Sequence, residues 1–351
     1  MISFSVITCT YNAAAELPRT LKSVAEQTYP HVEHLLVDGL SADNTRQLID
    51  QYVADMAQTE SLHTIKVKAE TDAGLYDAMN KGIEMATGTY LVFINAGDVF
   101  PSPQTLETVA NAVGEAETLP AVLYGDTDIV DADGRFLRHR RPVPRQGLSW
   151  RSFSRGMLVC HQAFYALTSL AKQTPYNLDY RFSADVDWCI RVMKAGQAAN
   201  LPLKNVQAVV ANYLDGGMTV KNHRASLKER FAVMRAHYGL PLTLAMHAWF
   251  VLRAVGKKLT PADQEGSTFT ISNLGMYGVE SFTSIINQPN SAILSIAGTK
   301  EMPVVRNGEV VIRPIMKMSL TSDHRVINGL GAAKFMQELK ATLESPLPLL
   351  V

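Results

Sequence analysis

Several carboxylates sit where apolar runs stop. Val92-Phe93-Ile94 gives way to Asn95-Ala96-Gly97-Asp98, the run Val32 to Val37 stops at Asp38, and Ile65 to Ala69 runs out shortly before Asp72. An apolar strand that halts at a small-residue turn leaves its carboxylate just outside the carboxyl end of a buried sheet, where open α/β folds place their ligands. Gly and Asp also make ordinary turns, so one such stretch alone is ambiguous. A second kind of position is offered by Phe182-Ser183-Ala184-Asp185-Val186-Asp187-Trp188, which opens a helical stretch. Carboxylates there are favoured by the helix dipole, so capping competes with a role in proton transfer.

The elements that position these residues follow from periodicity. Residues 3 to 9 are β-rich and run into Thr10-Tyr11-Asn12, and Glu16 to Gln27 has helical spacing through Leu17, Leu21 and Val24. Strands are expected at 32–37, 65–69 and 90–94, alternating with helices at 45–52 and 75–86, the last with Gly88 just past its end. Repeated β-α-β units imply parallel strands joined by right-handed crossovers. Tyr11, Asp38, Asp72 and Asp98 then share one edge. Further on, Ala121 to Tyr124 reads as a strand ending at Gly125-Asp126, and Asp133-Gly134 has hairpin chemistry. The basic stretch Arg135 to Pro142 reads as a solvated loop, with a diphosphate or anionic acceptor as its other use. Ser226 to Tyr238 is an expected helix. Leu240 to Leu259 is apolar but broken by His247 and Arg253 and followed by Lys257-Lys258, which suits a helix on a membrane surface or one packed on the domain.

At 351 residues the chain has room for two or three domains. Its 33 Lys plus Arg balance 33 Asp plus Glu, so bulk charge points to no nucleic-acid partner. Cys9, Cys160 and Cys189 are scattered, without metal spacing, as suits a reducing compartment. The first residues lack the basic and apolar regions of a signal peptide. A cytoplasmic protein, in peripheral contact with the inner membrane face at most, is expected.

The segments SVITCTYNAAAELPRTLKSVAEQTYPHVEHLLVDGLSADNT, DAGLYDAMNKGIEMATGTYLVFINAGD and LYGD resemble the inverting nucleotide-sugar glycosyltransferases of family 2, over about residues 1–255. The resemblance implies an α/β GT-A domain with a mostly parallel central sheet. It implies that Thr10 and Tyr11 line the base pocket, Asp38 holds the base, Asp72 and Lys81 lie close to the nucleotide, and Asp98 binds Mg²⁺ or Mn²⁺. Such a cation would neutralise the charge of the departing diphosphate. Ala96-Gly97 stand where the family often has a second Asp, and His161 or His223 is a candidate to compensate. Cys160-His161-Gln162-Ala163-Phe164 resembles the segment before the acceptor side. Asn212 to Thr219, with Gly217, resembles the turn that closes on the diphosphate, whose backbone N–H groups cradle oxyanions. Asp185 matches the family's catalytic base, with Ala184 where a Glu is usual, and Asp187 supports the helix.

From about Leu259 the character changes. LTPADQEGSTFTISNLGMYGVESFTSIINQPNSAILSIAGT and MKMSLTSDHRVINGLGAAKFMQELKATLESPLPLLV closely resemble the later part of the catalytic domain of dihydrolipoamide acyltransferases, a partial α+β, chloramphenicol acetyltransferase-like segment. By that resemblance His324 is the general base for a thiol, Ser272 stabilises the oxyanion, and Asn328 replaces the usual Asp. The earlier half of that domain is missing and family sites form between subunits, so no acyl transfer is expected. The expected division is 1–258 and 259–351, with a junction near Gly256 to Thr260 that reads as a fusion of unrelated products. The function expected is metal-dependent sugar transfer from a nucleotide donor to a glycan or lipid-linked acceptor in polysaccharide assembly. Rival readings are a nucleotidyltransferase, for which Thr10-Tyr11-Asn12-Ala13 is no phosphate loop, a noncatalytic nucleotide-binding protein oligomerised by its tail, and a residual acyltransferase.

Overall fold

The structure, a computed structural model, describes residues 1–114, 118–141, 144, 147–215, 223–255, 269–286, 290–306 and 308–344. Two units divide the chain, Met1–Arg253 and Ala254–Val351. The division falls five residues before the expected boundary at 258.

The first unit begins with four β-strands, β1 (Phe4–Thr10), β2 (Val32–Asp38), β3 (Thr64–Ala69) and β4 (Tyr90–Phe93). They alternate with helices α1 (Leu17–Ala25), α2 (Thr45–Ala57) and α3 (Leu75–Met85). β1 and β2 are buried along their whole length, as central strands covered on both faces are, their polar Ser5, Thr8, Glu33 and His34 included. The strands lie in the order β3-β2-β1-β4, all parallel, so their carboxyl ends open on one edge as expected. α1 has Pro near its start and buries Leu17, Leu21 and Val24. α3 buries Tyr76, Met79 and Ile83.

α4 (Thr105–Val113) leads to β5 (Val122–Val130), β6 (Phe136–His139), β7 (Phe164–Leu167) and β8 (Leu203–Leu214). β7 inserts antiparallel between β4 and β5, β6 forms the expected hairpin with β5, and β8 lies parallel to β5. α5 (Thr168–Gln173) and α6 (Ala184–Ala198) lie between β7 and β8, and α7 (His223–Tyr238) and α8 (Leu240–Val255) follow β8. The sheet is thus mixed α/β with a mainly parallel centre. Phe4, Tyr90, Phe93, Tyr165 and Trp188 are among its largest fully buried side chains.

The second unit has β9 (Phe269–Asn273), β10 (Ala292–Arg306) and β11 (Glu309–Ser322) in the order β11-β10-β9, followed by α9 (Gly329–Glu344). β9 is parallel to β10, and β10 and β11 form a long antiparallel hairpin. Among the described residues its buried set is confined to Asn290, Ala292, Ile293, Leu294, Ser295 and Ala297, and α9 buries none.

Candidate functional site

Register alone places the first two site residues side by side, since Thr10 pairs with Asp38 across β1 and β2. The Thr10 hydroxyl donates to Asp38 Oδ1 at 2.8 Å, and Ser41 adds its hydroxyl at 2.6 Å to Oδ1 and its N–H at 3.0 Å to Oδ2. Thr10 is itself buried and serves to fix Asp38. The loops after β1 and β2 are stapled together: Asn12 N–H donates to Ser41 Oγ, Asn12 Oδ1 accepts from Ala42, and Ala13 and Ala14 donate to Thr45 and Asp43. Asn12 (φ 49) and Leu40 (φ 58) hold left-handed backbone at these strand ends. Such conformations cost energy and cluster where a loop must present groups to a ligand.

Gly39 lies at the floor of this edge. A Cβ there would stand 2.4 Å from Asp72 Oδ2 and 3.3 Å from the Tyr11 ring, so glycine leaves the room in which that carboxylate and ring lie against this edge. Tyr11 is 67% exposed, a ring face free for stacking. Asp72 also accepts the Gly74 N–H at 2.9 Å. Lys81, expected beside the nucleotide, is otherwise engaged. Its ammonium donates to Thr71 O at 2.6 Å and pairs with Glu70 and Asp77, both at 3.2 Å, so it braces the loop carrying Asp72.

Asp98 differs from its expected setting. It is 4% exposed, and both oxygens are engaged: Leu214 N–H donates to Oδ1 at 3.0 Å and Gln162 Nε2 to Oδ2 at 2.7 Å. Next to it Val99 and Asn212 exchange backbone bonds at 3.0 and 2.8 Å, which joins the end of β8 to the turn after β4. Burial pushes Asp98 up to about 7, against the bonds from Leu214 and Gln162 and the more distant charge of Arg19. The adjoining Gly97 has φ +100, a backbone that disfavours a second carboxylate at that position. Asn95 Oδ1 is buried without a hydrogen-bond partner.

A Mg²⁺ or Mn²⁺ ion wants about six hard oxygens. Among the described residues no three His, Cys, Asp or Glu side chains gather to hold one. His161 does not compensate for the missing Asp: it is buried, stacks on Phe93 with centroids 4.9 Å apart, bonds the Tyr176 hydroxyl, and burial lowers its pKa to about 3. The His223 side chain and Gly217 lie outside the described residues. The enclosed Asp98 therefore does not fit as the metal ligand expected of it, and its visible role is to knot β4, β8 and Gln162.

α6 begins at Ala184, with Ser183 before it making no side-chain cap. Instead Glu229 of α7 accepts the N–H groups of Arg181, Phe182 and Ser183 at 2.9, 2.7 and 3.0 Å. Asp185 accepts Val186 N–H at 2.9 Å and the Tyr76 hydroxyl at 3.4 Å, both on Oδ1. Burial raises its pKa, partly offset by Arg230. A base with a raised pKa that still reaches solvent is suited to taking a hydroxyl proton. Asp187 takes the supporting role: it bonds Arg191 Nε at 2.7 Å and His237 Nε2 at 2.8 Å, with its pKa lowered by these partners despite burial. Lys194 in turn donates to His237 Nδ1 at 3.0 Å, which leaves Nε2–H to donate to Asp187. This chain holds α7 on α6.

Tyr213, near the end of β8, feels both Asp98 and Asp185. Burial first, then those charges with Cys160 and Asp215, push its hydroxyl up to about 12. Sequence reasoning missed Tyr213, Glu229, Arg230 and the bond from Gln162; the helical spacing of Ser226 to Tyr238 gave no cue to which face meets α6.

In the second unit Ser272 pairs with Ser295 and Ser295 with Ser319, so β10 separates Ser272 from β11. His324 follows β11 in an exposed turn. Asn328 Oδ1 accepts the Gly331 N–H at 2.8 Å and so caps α9.

A family model described as glycosyl transferase family 2 matches residues 5–178, and one described as 2-oxoacid dehydrogenases acyltransferase (catalytic domain) matches residues 245–351. A PGL/p-HBAD biosynthesis glycosyltransferase of Mycobacterium tuberculosis (strain H37Rv) is 36% identical over 215 residues, 61% of this chain and 77% of that protein. The dihydrolipoyllysine-residue acetyltransferase component of the pyruvate dehydrogenase complex of Rickettsia prowazekii is 41% identical over 101 residues, 29% of this chain and only 25% of that protein. The crystal structure of S. aureus TarS 1-349 in complex with UDP-GlcNAc shares the fold with a TM-score of 0.52 at 17% identity, over 74% of this chain and 69% of that one. With an acyltransferase-like segment fused behind its first unit, the chain belongs to glycosyltransferase family 2.

Proposed function

We propose that the first unit transfers a sugar with inversion from a nucleotide-diphosphate donor to a hydroxyl of a glycan or lipid-linked acceptor. What carries the reading is the single sheet edge on which the Tyr11 ring, Asp38 and Asp72 converge, with Asp185 beside it on α6. The ring stacks on the nucleobase and Asp72 accepts a hydrogen bond from the base or the ribose, while Asp38, buried and held by Thr10 and Ser41, fixes the strand end that carries the site. Asp185 takes the acceptor's proton as the hydroxyl oxygen bonds to the anomeric carbon, while the bond from that carbon to the diphosphate oxygen breaks on the opposite face. The products are the inverted glycoside and a nucleoside diphosphate. Asp98, enclosed by Leu214 and Gln162, stays outside this chemistry. α8 exposes Leu240, Leu242, Leu244 and Trp249, which supports peripheral contact with a cytoplasmic membrane face carrying a lipid-linked acceptor. No helix among the described residues is long and apolar enough to cross a membrane.

The test is a thermal-shift screen of UDP-, GDP- and dTDP-sugars, UDP-sugars first because the fold relative TarS holds UDP-GlcNAc. One donor class is expected to raise the melting temperature, since a ligand bound by the folded state alone stabilises it. Asp185→Asn should keep that shift and lose transfer by about 10²-fold or more. Parental activity in Asp185→Asn, or no shift with any donor, overturns the reading.

A further inference from the structure

We infer that Glu229, on α7, is the residue that positions the base, acting on Asp185 through the backbone rather than on any substrate. The inference rests on the functional reading above and deepens it. α6 starts without a side-chain cap from Ser183. The three N–H groups that lead into it all end on one carboxylate, that of Arg181 on Glu229 Oε1 and those of Phe182 and Ser183 on Oε2. Successive N–H groups that converge on an anion at a helix N-terminus make charge-assisted bonds, each stronger than a neutral one. Ser183 also donates its hydroxyl to the Ser226 carbonyl at 3.2 Å, and its own carbonyl accepts the Asp187 N–H at 3.4 Å, the first bond of the helix. α7 therefore grips the chain at Ser183, two residues before Asp185.

Among the described residues the Asp185 carboxylate is held at one oxygen only, since Val186 N–H and the Tyr76 hydroxyl both reach Oδ1. Oδ2 is then the oxygen for the acceptor's proton, and its direction follows the first turn of α6. Ala184 and Val186, both buried, fix how deep that turn sits. The path by which the chain enters it is fixed by Glu229. A catalytic group about 1 Å out of line can lose about 10²-fold in rate. Asp187, on the same turn, is spent on Arg191 and His237 and does not substitute. In Glu229→Gln one oxygen can keep Phe182 and Ser183 while the new NH₂ meets the Arg181 N–H, donor against donor. The isosteric change thus loosens the entry to α6 without leaving a hole.

Hydrogen exchange, calorimetry with UDP, GDP and dTDP, and single-turnover release of diphosphate from UDP-, GDP- and dTDP-sugars, with water as acceptor, test this on the full chain. Glu229→Gln should speed amide exchange at residues 181–183, keep diphosphate affinity within about twofold and slow release by about tenfold or more. In an Asp185→Asn background the same change should slow release by less than about twofold, because its effect passes through the carboxylate already removed. Ser183→Ala loosens the same junction with Glu229 in place and should slow release by a smaller factor; should Glu229→Gln fail to fold, parental release in Ser183→Ala overturns the assignment. Faster exchange with parental release in Glu229→Gln overturns it too. So does diphosphate affinity that falls as much as the rate, and so does an equal loss of rate in the parent and in the Asp185→Asn background. Parental release by Asp185→Asn alone fails the functional reading instead.

Discussion

At the scale of single residues, the site is governed by what surrounds each carboxylate. Asp38, Asp98, Asp185 and Asp187 have the same chemistry in isolation and four different settings here. Asp185 has its pKa raised by burial and lowered in part by the Tyr76 hydroxyl. Removing that hydroxyl while keeping the ring, in Tyr76→Phe, withdraws a bond that favours the charged form, so the Asp185 pKa moves further up. A general base works when ionised. The acid limb of the kcat profile should therefore shift to higher pH, by a few tenths to about one unit, with little change on the alkaline side. An unmoved limb in a pH–rate series would mean that another group is the base.

Among the elements, β1, β2, β3 and the turn between α3 and β4 are joined through one buried acid. Glu33 accepts from the Ser5 hydroxyl at 2.5 Å, Lys66 at 2.7 Å, the Thr87 hydroxyl at 2.8 Å and Gly88 N–H at 3.1 Å, besides Thr87 N–H. Burial alone would raise its pKa; these partners overcome it and hold the group at about 2. A depressed folded pKa contributes stability that is complete above the unfolded value near 4.3 and is lost as pH falls toward 2. Glu33→Gln should therefore lower stability at pH 7 by about 2 kcal/mol, a few degrees in Tm, and the gap from the parent should close in melts between about pH 4 and 2. β1, β2 and β4 were legible in the sequence to within a residue or so, because strands buried on both faces are rich in apolar and β-branched residues. β8 was not: its Asn212-Tyr213-Leu214 reads as the approach to a glycine turn, and its strand character comes from pairing with the distant β5. α4 did carry a signal, the helical spacing of Leu106, Val109 and Val113. The parallel edge and its Asp38 and Asp72 were therefore readable. The enclosure of Asp98 was not, because a strand-end carboxylate looks the same in sequence whether it faces a ligand or a distant strand.

For the whole molecule, the two units match two different family models. With the matched acetyltransferase covered over only 25% of its length and Asn328 spent as a helix cap, the purified chain should show no acetyl transfer from acetyl-CoA to dihydrolipoamide in a thiol-release assay. Measurable turnover would overturn this. Ile271, Val310, Ile312, Val326 and Leu330 are each more than half exposed, an amount of apolar surface that favours association. Light scattering should find the full chain larger than a monomer and a chain ending at Val255 monomeric, with sugar transfer kept by the shorter form.

The bond from Leu214 to Asp98 spans 116 positions of sequence. During synthesis at about 5–20 residues per second, the turn after β4 waits roughly 6–23 s for its partner to be made. Through that interval the nucleotide-side strands have formed neighbours to pair with, while a buried-to-be carboxylate stays in water and ionised. The docking of β8 is thus also the step that dehydrates Asp98, and a nascent chain stalled before β8 carries the turn after β4 with that carboxylate still in water.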